Sequence, residues 1–243
     1  MKNKVVVITG GTGFLGEYFA AALREAGATV VVTDVADGAD VKMDVTDQAS
    51  IDTAFEQIVA EHGQVDVVIN NAALDPKFDK DTAQNQQDFE NYPEETMLAS
   101  LNVNLVGAWR VCKTAVRQMK EKGGGTIVNV ASFYGVTPPR QELYPEGTEK
   151  PVDYPISKAG LIMLTRHIAS QFGADGIRAN ALAPGGVEKG HDEHFKAKYA
   201  AHTTLGRMNT PEEVADALVF LASDASRGMT GETLTVDAGW SSR

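Results

Sequence analysis

The chain has 243 residues, with 33 acidic against 22 basic side chains and a formal net charge of -11. The length suffices for one large α/β domain with a sizeable core, and 43% hydrophobic with 23% charged residues excludes a disordered chain. The acidic balance excludes the basic face that nucleic acid or an anionic membrane would need; its plain consequence is solubility. A single cysteine, Cys112, excludes an intrachain disulfide; among Val111, Ala115 and Val116 at helical spacing it reads as a small buried hydrophobe. That usage fits a reducing compartment. The opening Met1-Lys2-Asn3-Lys4 leads directly into a strand, without the apolar length of a signal peptide or a membrane span, so a cytoplasmic protein is expected.

In chain order, short apolar runs alternate with helical patterns, which predicts βαβ units. A strand at 5–8 is followed by a helix carrying Leu15, Phe19, Ala22, Leu23 and Ala26 and stopped by Gly27. Strands follow at 29–33 and near 41–43, then a helix marked by Ile51, Phe55, Ile58 and Val59, and a strand at 65–69. One long helix is predicted through Leu101, Leu105, Ala108, Cys112, Ala115 and Met119, broken by Gly123, Gly124 and Gly125. Next come a strand at 126–131, a helix with Leu161, Leu164, Thr165, Ile168 and Phe172, and a strand at 177–182 ended by Pro184. Thr210-Pro211-Glu212-Glu213 is a strong helix start, with an N-cap threonine, proline at the first position and glutamate three residues after the cap. A last strand lies at 232–236. With no linker or repeat, the reading is one α/β domain over 1–243: a doubly wound, mainly parallel seven-stranded sheet with helices on both faces.

The run 9–16, Thr9-Gly10-Gly11-Thr12-Gly13-Phe14-Leu15-Gly16, joins the first strand to the first helix. Glycines allow positive φ and a close approach of backbone to a pyrophosphate, and the helix N-terminus turns free N–H groups toward it. A glycine cluster alone says little; its place between strand and helix makes it specific. Asp34 ends the second strand 18 residues after Gly16. A carboxylate there can accept from both ribose hydroxyls and repels a 2′-phosphate. Val35, Ala36 and Asp37 offer no cation to hold that phosphate, so NAD is the expected cofactor. The bland alternative for Asp34 is a surface turn residue.

Tyr154-Pro155-Ile156-Ser157-Lys158 places a phenol and an amine four residues apart, on one face of a helix. A neighbouring ammonium favours the phenolate, so a lowered tyrosine pKa and general acid–base work are expected. Ser132 ends a central strand, where side chains reach the ligand crevice of a parallel sheet, and its hydroxyl can bond a substrate oxygen. The tyrosine–lysine spacing is common by chance; its meaning comes from its place after Ser132 and the dinucleotide turn.

Together with Asp44-Val45, Asn70-Asn71-Ala72-Ala73, Asn104, Pro184-Gly185 and the Thr230-Gly231…Val236-Asp237 ending, these motifs closely resemble the short-chain dehydrogenase/reductase family, over essentially the whole chain. The resemblance implies a Rossmann-like fold and an NAD-dependent hydride transfer between nicotinamide and a secondary alcohol or ketone. It makes Tyr154 the acid/base, Lys158 the ligand of the nicotinamide ribose, Ser132 the orienting hydroxyl and Asn104 the holder of a water that links Lys158 to solvent. It places Asp44 and Val45 beside the adenine, Asn71, Ala72 and Ala73 on the ribose side, and Pro184, Gly185, Gly186 and Val187 by the nicotinamide. Gly10, Thr12, Gly13, Phe14, Leu15 and Gly16 are the phosphate turn. No metal site is expected. The helix at 101–119 is similar to the family's dimer helix and implies a homo-oligomer, a tetramer or a dimer.

Three departures from the family pattern stand out. Phe14 occupies a position usually held by glycine in the short members, a turn similar to that of longer, epimerase-like relatives. Ser132 and Tyr154 are 22 residues apart, with a polar, proline-containing insertion at 136–152. Lys189 stands where many relatives have a threonine. The insertion, Ser132-Phe133-Tyr134-Gly135 and Pro184-Gly185-Gly186 resemble bacterial members of a flagellin-modification and sugar-biosynthesis branch. In the lid expected at about 187–209, Lys189, His191, His194, Lys196, Lys198, His202 and Arg207 against Asp192 and Glu193 suggest an anionic, polyhydroxylated substrate such as a sugar phosphate or nucleotide sugar. The competing readings are a sugar epimerase or dehydratase with tightly held NAD, a non-catalytic dinucleotide sensor, which would not need Asn104, Ser132, Tyr154 and Lys158 together, and a cofactor-free lyase, which would not need the glycines and Asp34.

Overall fold

The computed structural model describes residues 1–75, 89–144 and 149–242. Its strands are β1 (Val5–Thr9), β2 (Thr29–Asp34), β3 (Val41–Lys42), β4 (Val67–Asn70), β5 (Gly125–Val130), β6 (Ile177–Pro184) and β7 (Thr233–Val236). All seven join one parallel sheet in the order β3-β2-β1-β4-β5-β6-β7. The sheet reverses direction of growth between β1 and β4, where a doubly wound sheet opens its ligand crevice. The strand ends lie side by side there: Thr9 pairs with Asn70, and Asn70 with Asn129.

Alternation along the strands explains the two helical layers. Val5, Val7 and Val31 face a core with α2 (Gln48–His62), α4 (Ala108–Glu121) and the C-terminal half of α5 (Asp153–Phe172). Val6, Ile8, Val30 and Val32 face the other core, built with α1 (Phe14–Glu25) and α7 (Pro211–Ala222). The expected capping box is present at α7: the Thr210 hydroxyl accepts from Glu213 N, and the Glu213 carboxylate from Thr210 N.

The helix predicted through 101–119 is not one regular helix. It begins earlier, as α3 (Glu94–Leu101), passes through a π-helical segment, Asn102–Gly107, and continues as α4. A further helix, α6 (Glu193–Ala201), lies in the expected lid, capped by Asp192, whose Oδ1 accepts from Phe195 N. No helix among the described residues is long and apolar enough to cross a membrane.

Candidate active site

The glycine turn is a cradle that side chains would fill. Gly10 has a φ of 60°, and a Cβ there would sit 2.6 Å from Ala72 Cα. A Cβ on Gly16, in the first turn of α1, would sit 2.6 Å from both the Gly10 carbonyl and Gly11 Cα. Gly13 is the N-cap of α1, with no side chain capping the helix, so the N–H groups at its start face the crevice. Asn71 ties the turn down from β4: its Nδ2 donates to the carbonyls of Thr9 (3.2 Å) and Gly10 (2.8 Å). The backbone N–H groups of Asn71 and Ala72 both donate to Thr9 Oγ1. Asn71 and Ala72 thus shape the turn, while Ala73 is exposed beside it.

Asp34 stands at the mouth of this cradle. Its Oδ2 accepts from Thr12 Oγ1 (2.6 Å) and Thr12 N (3.2 Å), and its Oδ1 accepts from Ala36 N. Burial opposes its ionisation, but these donors outweigh burial and hold the carboxyl below its ordinary value. The nearby cations are already matched: Arg24 pairs with Asp40 at 3.6 Å and Lys42 with Asp37 at 2.8 Å. An open cavity of about 580 Å³ lies here, lined in part by Thr12, Arg24, Asp37 and Asp40. These features fit an adenosine ribose bearing free hydroxyls. Beyond β3, Asp44 Oδ1 accepts from Thr46 N and Oγ1, and Val45 is buried in the core against Gly107.

The residues expected to move the proton converge at the end of β5 and the start of α5. Ser132 is buried just after β5, accepts from Tyr134 N and lies close enough to the Tyr154 phenol to favour its ionised form. Lys158 lies one turn along α5 from Tyr154; its Nζ donates to the Val130 carbonyl at 2.8 Å and is 5.5 Å from the Tyr154 ring centroid. Burial pushes the Lys158 ammonium down to about 8. The expected lowering of the Tyr154 pKa is not found. Burial drives the phenol well above its ordinary value, Asp75 and Tyr134 add to this, and Ser132 opposes them. Desolvation is the largest of these effects.

Asn104 occupies the π-helical segment and is 1% exposed. Its Oδ1 accepts from Leu74 N (2.7 Å), and its Nδ2 donates to the Leu74 carbonyl (3.0 Å) and to Ser157 Oγ (3.1 Å). Ser157 Oγ in turn donates to the Tyr154 carbonyl at 2.8 Å. Asn104 therefore joins the loop after β4 to the first turn of α5.

Several site residues escape a motif reading. Lys150 of the insertion is buried and pairs with Asp75 Oδ1 at 2.5 Å. Tyr134 and Tyr144 share a 2.9 Å hydroxyl contact in the same aromatic cluster as Tyr154, Tyr199 and Trp240. Tyr199 of α6 accepts from Gly186 N at 2.5 Å and so ties the lid to the segment after Pro184. Gly185 N donates to the Val236 carbonyl, and Val187 pairs with Asn209. The lid reaches the phosphate turn through Lys189, whose Nζ lies 4.5 Å from the Phe14 ring centroid. Of the insertion, Pro145, Glu146, Gly147 and Thr148 lie outside the described residues.

Two of the four lysine and arginine side chains at 187–209 are engaged in ion pairs. Lys196 pairs with Glu188, which the sequence reading leaves out of the balance, and with Glu193. Arg207 is held by both oxygens of Glu213, at 2.6 and 2.8 Å. His191 stacks on Phe195 with ring centroids 5.1 Å apart, and burial lowers its pKa.

Known proteins share this arrangement. A family model described as enoyl-(acyl carrier protein) reductase matches residues 15–241. Cis-4-hydroxycyclohexanecarboxylate dehydrogenase of Sinomonas cyclohexanicum is 34% identical over 98% of this chain and 96% of that protein. The 3-oxoacyl-[acyl-carrier-protein] reductase FabG of Thermotoga maritima is 33% identical over 98% of both. Among solved structures, a short-chain dehydrogenase of Leptospira borgpetersenii with bound NAD+ superposes with a TM-score of 0.88 at 29% identity, covering 99% of this chain and 93% of its own. A gluconate 5-dehydrogenase of Burkholderia cenocepacia in complex with NADP and tartrate gives 0.87 at 27% identity, covering 100% and 97%. With the glycine cradle, the serine, tyrosine and lysine at the sheet's carboxyl end, and these relatives in view, the chain belongs to the short-chain dehydrogenase/reductase family and is an oxidoreductase acting on CH–OH and C=O groups.

Proposed function

We propose that this oxidoreductase uses NAD, with Tyr154 as the group that moves the proton. The observation that carries the cofactor reading is Asp34, ionised at the end of β2, with Arg24 and Lys42, the cations beside it among the described residues, already paired. Of these residues, a 2′-phosphate would meet a carboxylate and two cations engaged elsewhere. Gly10, Thr12, Gly13, Phe14, Leu15 and Gly16 would hold the pyrophosphate, and Pro184, Gly185, Gly186 and Val187 the nicotinamide end. The bound dinucleotide supplies or accepts the hydride. In the oxidative direction the Tyr154 phenolate takes the hydroxyl proton while Ser132 fixes the substrate oxygen. Lys158 holds the nicotinamide ribose, and Asn104 braces the first turn of α5. The test compares kcat/KM for NAD and NADP. NAD should be favoured by about ten- to a hundredfold, and a preference for NADP would overturn the reading.

For the substrate, we propose a small polyhydroxylated metabolite. The aromatic cluster beside Tyr154 presents phenol hydroxyls, from Tyr134, Tyr144 and Tyr199, rather than a purely apolar wall. A sugar phosphate or nucleotide sugar draws less support than the lid sequence suggests, because Lys196 and Arg207 are paired. A panel of sugar acids, sugar phosphates and 3-oxoacyl thioesters separates these classes; fastest turnover of the thioester would overturn the polyhydroxylated reading. We further propose a cytoplasmic homo-oligomer that buries Trp109 of α4 with Ile156 and Met163 of α5, apolar residues exposed in the single chain. A monomer by sedimentation would refute it.

A further inference from the structure

Two distant segments of the chain meet over one ring. Lys150 comes from the insertion just before α5, and its side chain is only 6% exposed. A buried ammonium is costly unless it is paired. Its Nζ bonds Asp75 Oδ1 at 2.5 Å and lies 4.3 Å from the Tyr154 ring centroid, nearer than the 5.5 Å of Lys158. The Lys150 backbone N–H donates to Gln141 Oε1 at 2.9 Å, which anchors this end of the insertion. Asp75 follows β4, one residue after the Leu74 that Asn104 grips from the π-helical segment.

We propose that Lys150 is a second positioning cation of the proton-transfer site: held by Asp75 against the Tyr154 ring, its ammonium favours the phenolate. The proposal rests on the reading of Tyr154 as the proton-transfer group. A phenolate ring carries more negative charge than a phenol ring, so a cation above it stabilises the ionised form more strongly. Asp75 works in the opposite sense. Among the described residues, the other groups around Tyr154 are Ser132 and Tyr134 after β5, with Glu142 and Tyr144 of the insertion behind Tyr134, Tyr199 of α6, and Lys158 on its own helix. Asp153, next in sequence, faces Tyr92 and opposes its ionisation. Burial raises the phenol, and a cation held against the ring acts in the opposite sense. Lys150 also acts on Lys158, lowering its pKa while Asp75 opposes it. Among the described residues Lys150, Lys158 and Asp75 thus share one site, and removing either member of the Lys150–Asp75 pair should move the tyrosine in a definite direction.

The experiment titrates the Tyr154 phenolate by its absorbance in the NADH complex, as the difference between each protein and its Tyr154→Phe counterpart. The proteins are the wild type, Lys150→Met, Lys150→Arg and Asp75→Asn. Lys150→Met leaves Asp75 facing the phenol, so the titration should move up by about one pH unit or more. Asp75→Asn removes a carboxylate that opposes ionisation of the phenol, so it should move down. Lys150→Arg should restore the wild-type position. Alcohol oxidation needs the phenolate, so the rising limb of kcat/KM against pH should shift in the same order. Shifts in the same direction for Lys150→Met and Asp75→Asn, or shifts under about 0.3 units, would overturn the proposal. If Lys150→Met does not fold, an unmoved or raised titration in Asp75→Asn is enough to overturn it. Near-normal turnover in Tyr154→Phe would overturn the proton-transfer reading and this proposal together, whereas lost turnover with unmoved titrations would overturn this proposal alone.

Discussion

Between β1 and α1, the dinucleotide side of the crevice is made by consecutive residues: a strand, three close-packed glycines and a helix N-terminus, with Asp34 bonded to Thr12 beside them. Beyond β5, the substrate side is made by residues far apart in the chain. Lys150 meets Asp75 across 75 positions, and Asn104 meets Ser157 across 53. The first region depends on backbone geometry, which tolerates few side chains. The second depends on buried polar pairs, each of which loses its partner when the other is changed. A single substitution should therefore act sterically in the first region and electrostatically in the second.

The largest expected effect is chemical. Tyr154→Phe should lower kcat by about 10²- to 10⁴-fold, the usual scale for loss of a general acid–base, while NADH affinity by fluorescence titration stays close to wild type. A small loss in kcat would remove the proton-transfer role from the substrate side. On the other side, Gly16→Ala places a methyl 2.6 Å from the Gly10 carbonyl, and backbone there has nowhere to move. Overpacking of this kind costs about 1–3 kcal/mol, so dinucleotide KM should rise about tenfold with the melting temperature falling. Unchanged dinucleotide binding would break the steric account of the turn.

Asn104→Ala lies between the two regions. It strands the Leu74 backbone groups and Ser157, for about 1–3 kcal/mol of stability by denaturant titration, and it should lower kcat by loosening both Tyr154 and Asp75. Stability lost without any change in kcat would reduce it to a structural tie. The smallest effects are expected in the lid. Lys196→Ala and Arg207→Ala remove locally paired surface cations, so each should leave the melting temperature and the salt dependence of kcat/KM nearly as they were. A flattened salt dependence would restore the anionic-substrate reading.

Most of the sheet is readable from sequence, because strands buried on both faces show up as short apolar runs with glycine or proline at their ends. The seven strands stand where expected, to within a residue or two. Helix α6 is missed for a physical reason: Phe195 and Tyr199 are its only large apolar residues, set among charges, so little periodicity reveals it. The irregularity at Asn102–Gly107 is hidden as well, since Leu101, Leu105, Ala108 and Cys112 suit a regular helix. Tyr154 and Lys158 are visible by spacing, but spacing carries no information on desolvation, and desolvation sets the sign of the phenol's shift. Lys150 reads only as one polar residue of an insertion; its importance depends on Asp75, which no local pattern connects to it.

The π-helical segment has a consequence for how this chain tolerates insertions and deletions. A π turn holds about one residue more than an α turn, so Asn102–Gly107 can be regarded as a helix with one residue added. Deleting one residue there would give a more regular helix, but everything after it would rotate by about 100° about the helix axis. Val111, Cys112, Ala115 and Met119, all buried against the sheet, would leave their places, and Trp109 would move off its exposed face. Asn104 would no longer point at Leu74 and Ser157. Length changes in the lineage of this chain should therefore be found in the loops after β4 and β5, where the backbone can absorb them, and be absent from the six residues around Asn104.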